Sequence, residues 1–441
     1  MPALSTSSKF LLSLLVLLAA SELFVRGPVR FFRAADFNDF ISPYIQSRAL
    51  IKGLDPYSPE VLVRLWPVTG PHRLQFLAKD LADGTLIEKR GIPTAYPLTC
   101  LLLLTPLAVL PWPLAHLIWL AVTACLTLGV IWSLLSLVTK EASAWQAYVF
   151  VAFTLALAPL HTGFAAGSVV IATVALCGIA LARERRGGET FAGILFGLAV
   201  CLKPQIGLPF LAYYLLRRRW RVCGIASGVV LTAALLAMGR FALSGTSWLQ
   251  NYRTDNKVLL VTGILADFTE RNPLRFSLIN LQVLVYALWH RAGVANAFAI
   301  GLSAVLLVIW IVLLLRSGRN NDDALLALSA VVVLSLLPVY HRLYDAFLLI
   351  FPLCWSLREF SGPRKKFARG AVLLMLPFLV PGGSALEEMQ HKLREAIARS
   401  WWWSCVVMPH EVWCLLLLGV LLLWGWSSRD PRLAPQERAR T

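Results

Sequence analysis

Long apolar segments recur from one end of this 441-residue chain to the other, and they decide what it can fold into. They lie at about 10–25, 97–112, 113–138, 145–160, 168–182, 190–202, 205–217, 222–241, 276–289, 294–315, 324–340, 345–357, 370–381 and 401–426. A helix that crosses a bilayer needs about 20 predominantly apolar residues. The chain is 58% hydrophobic and only 15% charged, unlike a soluble domain. The sequence therefore predicts an all-α polytopic membrane protein, since no stretch alternates as the strands of a membrane barrel do.

The net charge of +17 comes largely from basic residues in short loops between the apolar segments. Such loops lie preferentially on the cytoplasmic side of a membrane. This predicts cytoplasmic positions for 183–189, 217–221, 316–323 and 358–369 and for the C-terminal tail. The basic runs lack interleaved aromatic residues and are not part of a soluble globular domain, so nucleic-acid binding is not expected. The eight cysteines show no C-x-x-C or Cys/His spacing, which argues against a zinc site or a disulfide framework.

The cytoplasmic loops also constrain the topology. A parity count predicts about twelve transmembrane helices, with about 10 to 14 possible, in a single domain at residues 1–426. It requires 97–112 and 276–289 to dip into the membrane and return. The alternative is that both segments cross and some loops violate the charge rule. Residues 26–96 would form a first extracytoplasmic loop with amphipathic helices, and 427–441 a polar cytoplasmic tail.

Two carboxylates, Asp36 and Asp39, follow the first apolar segment. Charged groups at a membrane surface cost free energy to desolvate, which indicates a function. Residues 40–52 fit one helix lying along the membrane surface, with Arg48 on it, so the helix end would stabilise Asp39 as the anion. The alternatives are that Asp39 only caps the helix and that Asp36 is merely solvated.

A single lysine and a run of five residues also interrupt apolar segments. Lys203, in CLKPQ at the tip of the 190–217 hairpin, is a candidate phosphate ligand; the alternative is a lysine that snorkels to the surface. The run HRLYD at 341–345 brings together His341, Arg342, Tyr344 and Asp345, that is, a base or acid, a cation, a phenol and a carboxylate. Its alternative is an ordinary turn with an Arg–Asp pair.

Weaker candidates are Tyr96, which opens the segment 97–112, and His161, in APLHTGFAAGS. The alternatives are an interfacial aromatic residue and a structural histidine. No P-loop, H-E-x-x-H or G-x-S-x-G motif occurs, so neither a nucleotide-driven pump nor a serine or zinc hydrolase is predicted. We expect no cofactor and no metal, although Asp36, Asp39 and Asp345 could in principle bind one.

Four segments carry a resemblance to a known family: DFISPYIQSRALIKGLDPY, AYPLTCLLLLTPLAVLPW, RRGGETFAGILFGLAVCLKPQIGLPFLAYYLLRRRW and NPLRFSLINL. In their order they resemble the GT-C integral-membrane glycosyltransferases, most closely glycosyltransferase family 87, whose characterised members include polyprenol-phosphate-mannose-dependent mannosyltransferases. The resemblance implies a GT-C-type bundle, an extracytoplasmic site, a lipid-phosphate sugar donor, Asp39 as the base and a functional His341. The chain departs from the family at Gly167-Ser168-Val169-Val170 and at Tyr340-His341-Arg342, which leaves the sugar and the acceptor open.

The sequence thus predicts an enzyme of the inner or plasma membrane whose site faces the periplasm or exterior. It would transfer a hexose from a polyprenyl phosphate to a hydroxyl of a glycan or glycolipid by inverting single displacement. Mannose is the first candidate for the hexose. Asp39 would act as base, and Lys203, Arg342 and His341, in that order, would stabilise the leaving phosphate. Two alternatives stay open: a transporter or flippase of lipid-linked sugars, and a GT-C enzyme acting on protein or as an oligosaccharide ligase. A carrier would place its polar residues near the bilayer midplane, in repeats that this chain lacks.

Overall fold

The computed structural model describes residues 5–33, 39–67, 96–138, 143–244, 248–261, 266–272, 274–317, 323–390, 392–393, 397 and 400–428. Across these residues the chain is helical and contains no strand, only one isolated antiparallel bridge between Leu278 and Arg342. The predicted all-α class is therefore confirmed.

The α-helices are α1 Thr6–Arg26, α2 Pro28–Arg33, α3 Ile41–Lys52, α4 Pro59–Leu65, α5 Leu98–Ala108, α6 Trp112–Val138, α7 Ala144–Ala156, α8 Ala158–Ala166, α9 Val169–Glu184, α10 Glu189–Leu202, α11 Pro204–Leu216, α12 Trp220–Ser244, α13 Trp248–Val261, α14 Leu281–Trp289, α15 Ala292–Arg316, α16 Ala324–Ser335, α17 Ile350–Arg358, α18 Lys365–Met375, α19 Gly382–Gln390 and α20 His410–Ser427. Shorter 3₁₀ turns lie at Arg275–Ser277, Leu343–Leu349 and Leu376–Leu379, and a π turn lies at Trp403–Val407.

Five helical segments of the described chain are long and apolar enough to cross a membrane, and the bent pair α7–α8, with its 44° angle, would make a sixth. The five are Thr6–Arg33, Trp112–Val138, Trp220–Leu243, Ala292–Arg316 and His410–Ser427. These segments confirm a polytopic membrane protein. The expected number of about twelve crossings stays a prediction, because the other apolar helices are shorter than a full span.

The long helices and the short ones have different surroundings. Long α15 exposes a stripe of large apolar side chains that includes Ile300, Val305 and Val308, as a helix facing lipid would. Short α16 and α17 are buried on nearly every side, and so is most of α9. A helix that is apolar all round belongs in the interior. The short helices therefore form the core of the bundle, and the long ones surround it.

Helix α3 is largely buried. Eight of its twelve residues are buried, and the helix packs against α5. The Ser47 hydroxyl donates to the Leu101 carbonyl oxygen at 2.8 Å, and the Tyr44 hydroxyl donates to the Leu110 carbonyl oxygen at 2.7 Å. These buried polar side chains find their acceptors on the segment 98–110, so α3 is held against the bundle. Its position along the membrane surface stays a prediction.

Three core helices have one end in the same region. Helix α9 begins after Ser168, α11 begins after Lys203, and α16 leads into the turn that contains residues 341–345. Lys203 lies between α10 and α11, as the sequence predicts, because Pro204 cannot continue α10 and instead begins α11. Charged residues that are far apart in the sequence therefore meet at one end of the core.

Candidate active site

Asp39 is anchored to a tight turn between α8 and α9. The backbone N–H of Asp39 donates to the Ala166 carbonyl oxygen at 2.6 Å. Helix α8 ends at Gly167, whose φ of 66° is a left-handed conformation that favours glycine, and the Ser168 side chain caps α9. The Trp119 indole N–H donates to the Gly167 carbonyl oxygen at 2.8 Å and holds the turn in place.

The Asp39 side chain lies in a polar but enclosed environment. The Tyr344 hydroxyl donates to its carboxylate, and the charges of Arg342 and Lys203 act on it. Its Oδ2 atom is buried and has no hydrogen-bond partner among the described residues. Burial raises the pKa of Asp39 above its usual value, and the cations and the phenol offset only part of this effect. A carboxylate with a raised pKa and one open oxygen can accept a proton.

This environment corrects two expectations about Asp39. The helix begins at Ile41 with Phe40 in the N-cap position, and no side chain caps it, so Asp39 is not the N-cap. The expected stabilisation of the anion by the helix end does not dominate either, because burial raises the pKa instead.

Asp345 links three groups of the cluster. Its Oδ1 lies 2.5 Å from the Lys203 Nζ atom, and its Oδ2 lies 3.0 Å from the His341 Nδ1 atom. Oδ2 also accepts the backbone N–H of Arg342 at 3.0 Å. Burial acts to raise the pKa of Asp345, but Lys203 and His341 outweigh it, so the pKa lies below its usual value. Lys203 is therefore an interior ion-pair partner and not a snorkelling lysine, and Asp345 of the turn 341–345 pairs with Lys203 and His341.

The Arg342 guanidinium interacts with the Asp39 carboxylate and with the phenols of Tyr340 and Tyr344. Burial acts to lower its pKa, but Tyr340, Tyr344 and Asp39 raise it, so the guanidinium keeps its charge. The Lys203 ammonium lies 5.4 Å from the centroid of the Tyr344 ring, within the range of a cation–π contact. Two cations and two carboxylates thus share one site.

The segment that precedes α14 supports the 341–345 turn. The Ile279 N–H donates to the His341 carbonyl oxygen at 3.0 Å, and the Leu281 N–H donates to the Leu337 carbonyl oxygen at 3.0 Å. The Gln282 amide donates to the Pro338 carbonyl oxygen at 2.7 Å. These backbone contacts fix His341, whose side chain is fully buried.

A cavity of about 410 Å³ adjoins this cluster, here called the arginine cavity. Its charged lining consists of Arg30, Arg33, Arg342 and Glu411, and Ala166, which anchors Asp39, lines it as well. Three guanidinium groups around one cavity are suited to a phosphate.

The sequence analysis missed Arg30, Arg33 and Glu411, although each had a signal. Arg30 and Arg33 are three residues apart, so they share a helix face just before the predicted base. Glu411 is the one carboxylate in the apolar stretch 401–426, where an ionisable residue indicates a function. It is buried and accepts the Gly382 N–H at 3.1 Å.

The remaining candidates lie at different distances from the cluster. Tyr96 is close to it, since the charges of Asp39 and Asp345 act on its phenol. Arg48 donates to the Tyr44 hydroxyl at 3.2 Å and does not appear among the charges that act on Asp39. His161 contacts the Leu155 carbonyl oxygen at 2.6 Å and faces the charged end of α1 and α2. Asp36 lies outside the described residues.

The arrangement offers a carboxylate that can take a proton beside cations that can stabilise an anion. Among the residues that the structure describes, no three His, Cys, Asp or Glu side chains are placed to hold a metal ion. A carboxylate with an open oxygen beside two cations suits transfer of a group between a protonated nucleophile and an anionic leaving group.

A family model described as glycosyltransferase family 87 matches residues 94–339, which is more than half of the chain. The matched residues include Tyr96, His161 and Lys203. The 341–345 turn begins two residues after the match, whereas Asp39 lies 55 residues before it. No curated protein and no solved structure matches the chain.

Proposed function

The chain belongs to glycosyltransferase family 87 and is a membrane glycosyltransferase, and from that premise we propose that it transfers a hexose from a polyprenyl-phosphate donor to a hydroxyl of a glycan or glycolipid. Mannose is the first candidate for the hexose. The observation that carries this proposal is the open Oδ2 atom of Asp39 beside the charges of Arg342 and Lys203. These groups come from segments more than 100 residues apart.

Asp39 is the general base in this mechanism. The acceptor O–H bond breaks, its proton passes to Oδ2, and the acceptor oxygen forms a bond to the anomeric carbon. The bond between that carbon and the phosphate oxygen breaks at the same time, and the phosphate leaves with the electron pair. A single displacement of this kind inverts the anomeric centre. The Tyr344 hydroxyl holds the carboxylate in place while Oδ2 receives the proton.

The leaving phosphate needs cations more than it needs a proton, because it already carries negative charge. Arg342 is now the first candidate, since it is near Asp39 and also lines the arginine cavity with Arg30 and Arg33. Lys203 uses one of its three N–H donors on Asp345, and the other two have no acceptor in the part of the chain that the structure describes, so they can serve a ligand. His341 is fully buried against Asp345, which favours a positioning role that acts through that carboxylate.

We assign the site to the extracytoplasmic face of the cell membrane. The support is that α9 and α11 each have one end at the Asp39 cluster and the other end at a basic loop, with Arg185 and Arg186 after α9 and Arg217 to Arg219 after α11. Basic loops are retained preferentially in the cytoplasm, so the opposite ends of these helices face outward.

The deciding experiment is transfer of radiolabelled sugar from polyprenyl-phosphate mannose and its glucose and galactose counterparts by the purified full-length protein. We expect Asp39→Asn to lower kcat by a factor of about 10² to 10⁴, the usual contribution of a general base. Asp55→Asn makes the same change in the same loop, at a residue that instead bonds to the Tyr57 N–H and Asn251, and should stay active. Full activity of Asp39→Asn would remove the proposed base.

The donor phosphate can be tested separately through the arginine cavity. Arg33→Gln should raise the KM for the lipid donor about tenfold with a smaller change in kcat, because one charge-assisted contact is lost. Arg26→Gln is the matched control, since Arg26 lies on the same membrane segment and pairs with Glu22 at 3.1 Å. Equal effects of the two substitutions would rule out a specific role for this cavity in donor binding.

If only protein or lipid-linked oligosaccharide substrates are turned over, the enzyme is of the protein-modifying or ligase kind.

A further inference from the structure

A second charged cavity lies at the other end of the same core helices. Helix α9 leads away from the Asp39 cluster for 16 residues and α11 for 13 residues, which places their far ends roughly 20 Å away at 1.5 Å per residue. The far end of α16 reaches the same region, because Ala324 lines this cavity. The cavity has a volume of about 340 Å³ and shares no lining residue with the arginine cavity.

The lining of this distal cavity is strongly basic. Four guanidinium groups surround it against one carboxylate, Glu184, and the residues are Arg185, Arg217, Arg218 and Arg219. Arg219 is partly neutralised, since it lies 3.7 Å from Glu184 and 3.4 Å from Glu189. Tyr213 and Tyr214 supply two phenols. The lining therefore carries more positive than negative charge.

The positive-inside rule explains why basic residues gather on this side, but not why they enclose a cavity. Topological arginines are ordinarily solvated, whereas the Nη2 atom of Arg185 is buried and has no hydrogen-bond partner among the described residues. A buried donor of a charged group that is left without a partner costs free energy. An anion seated in the cavity would remove that cost.

Arg218 gives a second, independent indication. It follows the end of α11 with a φ of 57°, the left-handed position at which helices usually place glycine. An arginine there adopts a conformation that L side chains rarely take. The chain thus carries a guanidinium at a position where the backbone alone would favour glycine.

We propose that the distal cavity binds a phosphate-bearing anion, separate from the donor of the transfer reaction. The same chemistry could come from the headgroup of an anionic lipid in the adjacent leaflet or from a soluble phosphate ester. Arginine forks bind the phosphate oxygens in pairs, and the two tyrosines contact the rest of the headgroup or ester.

The test is native mass spectrometry of the purified full-length protein in neutral detergent, titrated with phosphatidylglycerol, phosphatidylcholine or glycerol phosphate. We expect selective binding of phosphatidylglycerol over phosphatidylcholine if the source is lipid, or binding of glycerol phosphate if it is soluble. Arg185→Gln should weaken that binding about tenfold. The control is Lys365→Gln, which removes an exposed charge at the start of α18. Its neighbour Arg364 pairs with Asp323, next to the cavity residue Ala324, so the control lies at the same end of the bundle.

Arg218→Gly separates ligand binding from folding. It removes a guanidinium and at the same time relieves the left-handed backbone, so it should weaken binding without lowering the melting temperature. Three results would overturn the proposal: no selectivity among the three probes, unchanged binding by both arginine variants, or an equal loss with Lys365→Gln. Binding that persists in the inactive Asp39→Asn variant would show that the cavity does not depend on the transfer site.

Discussion

Replacement of Lys203 by methionine tests the electrostatic design of the site most directly. Methionine has a similar length and no charge, so the substitution removes the ammonium and leaves the packing of the hairpin tip nearly unchanged. Asp345 would then keep only the His341 ring and the Arg342 N–H as partners. The Asp345 side chain is fully buried, so its charge would lose its main compensation.

The magnitude follows from this burial. Removal of one member of a buried ion pair costs about 3–5 kcal/mol, because an uncompensated charge stays in the interior. We therefore expect Lys203→Met to lower the melting temperature in detergent by several degrees and to abolish most transfer activity. Lys52→Met is the matched control, since Lys52 is an exposed lysine at the end of α3 and should have little effect.

The pH dependence separates charge from packing. In the wild type the pKa of Asp345 lies below its usual value. At a pH above the usual pKa, the charged carboxylate contributes its full stabilisation. This stabilisation is lost only as the pH falls through the lowered pKa. Without Lys203, burial dominates and raises the pKa, so the carboxylate becomes protonated as the pH falls. The difference in melting temperature should therefore be largest near pH 8 and shrink towards pH 5.

The double variant Lys203→Met/Asp345→Asn completes the test. It removes both charges, so it should be more stable than Lys203→Met alone at pH 8. A stability deficit that does not change between pH 5 and pH 8, together with no recovery in the double variant, would refute the ion-pair reasoning and indicate that Lys203 acts through packing.

Two further substitutions test the surroundings of the cluster. Tyr344→Phe removes the phenol that lowers the pKa of Asp39, so that pKa should rise and the acidic limb of kcat/KM should shift to higher pH; an unmoved profile would mean that Asp39 is not the titrating base. Gly383→Ala would place a Cβ 1.9 Å from the Phe276 carbonyl oxygen and should destabilise the protein by about 1–3 kcal/mol in thermal melts, whereas Gly224→Ala, with no atom within 4 Å, should not.

The sequence predicted best those residues whose free-energy cost of burial is evident from the neighbouring residues alone. Lys203 interrupts an apolar run, and the 341–345 turn separates two apolar segments, so the price of burying their charges marks them without any knowledge of the fold. The structure brings both together with Asp39, but nothing in the sequence indicated that Asp345 would bond to Lys203, 142 residues away. Such a pairing depends on how α11 and the 3₁₀ turn pack, which periodicity does not encode.

The features that the sequence did not predict also depend on how the helices pack. The sequence 40–52 mixes apolar residues with polar ones such as Ser47 and Arg48, and it does not indicate which polar side chains are buried. In the structure the Ser47 and Tyr44 side chains find acceptors on the segment 98–110, so burial costs little. Arg30 and Arg33 were passed over because a pair of arginines at a membrane boundary is common, and only the fold places them around the same cavity as Arg342.

The short core helices explain why the site is enclosed. Helices of 16, 13 and 12 residues, α9, α11 and α16, are about 18–24 Å long, less than the roughly 30 Å of a bilayer core that the surrounding helices can cross. At least one end of each must therefore lie below the membrane surface. The Asp39 cluster occupies one set of these ends, and burial among them raises the pKa of the base. A recessed position of these ends is what the proposed donor requires, since its phosphate hangs from a lipid tail.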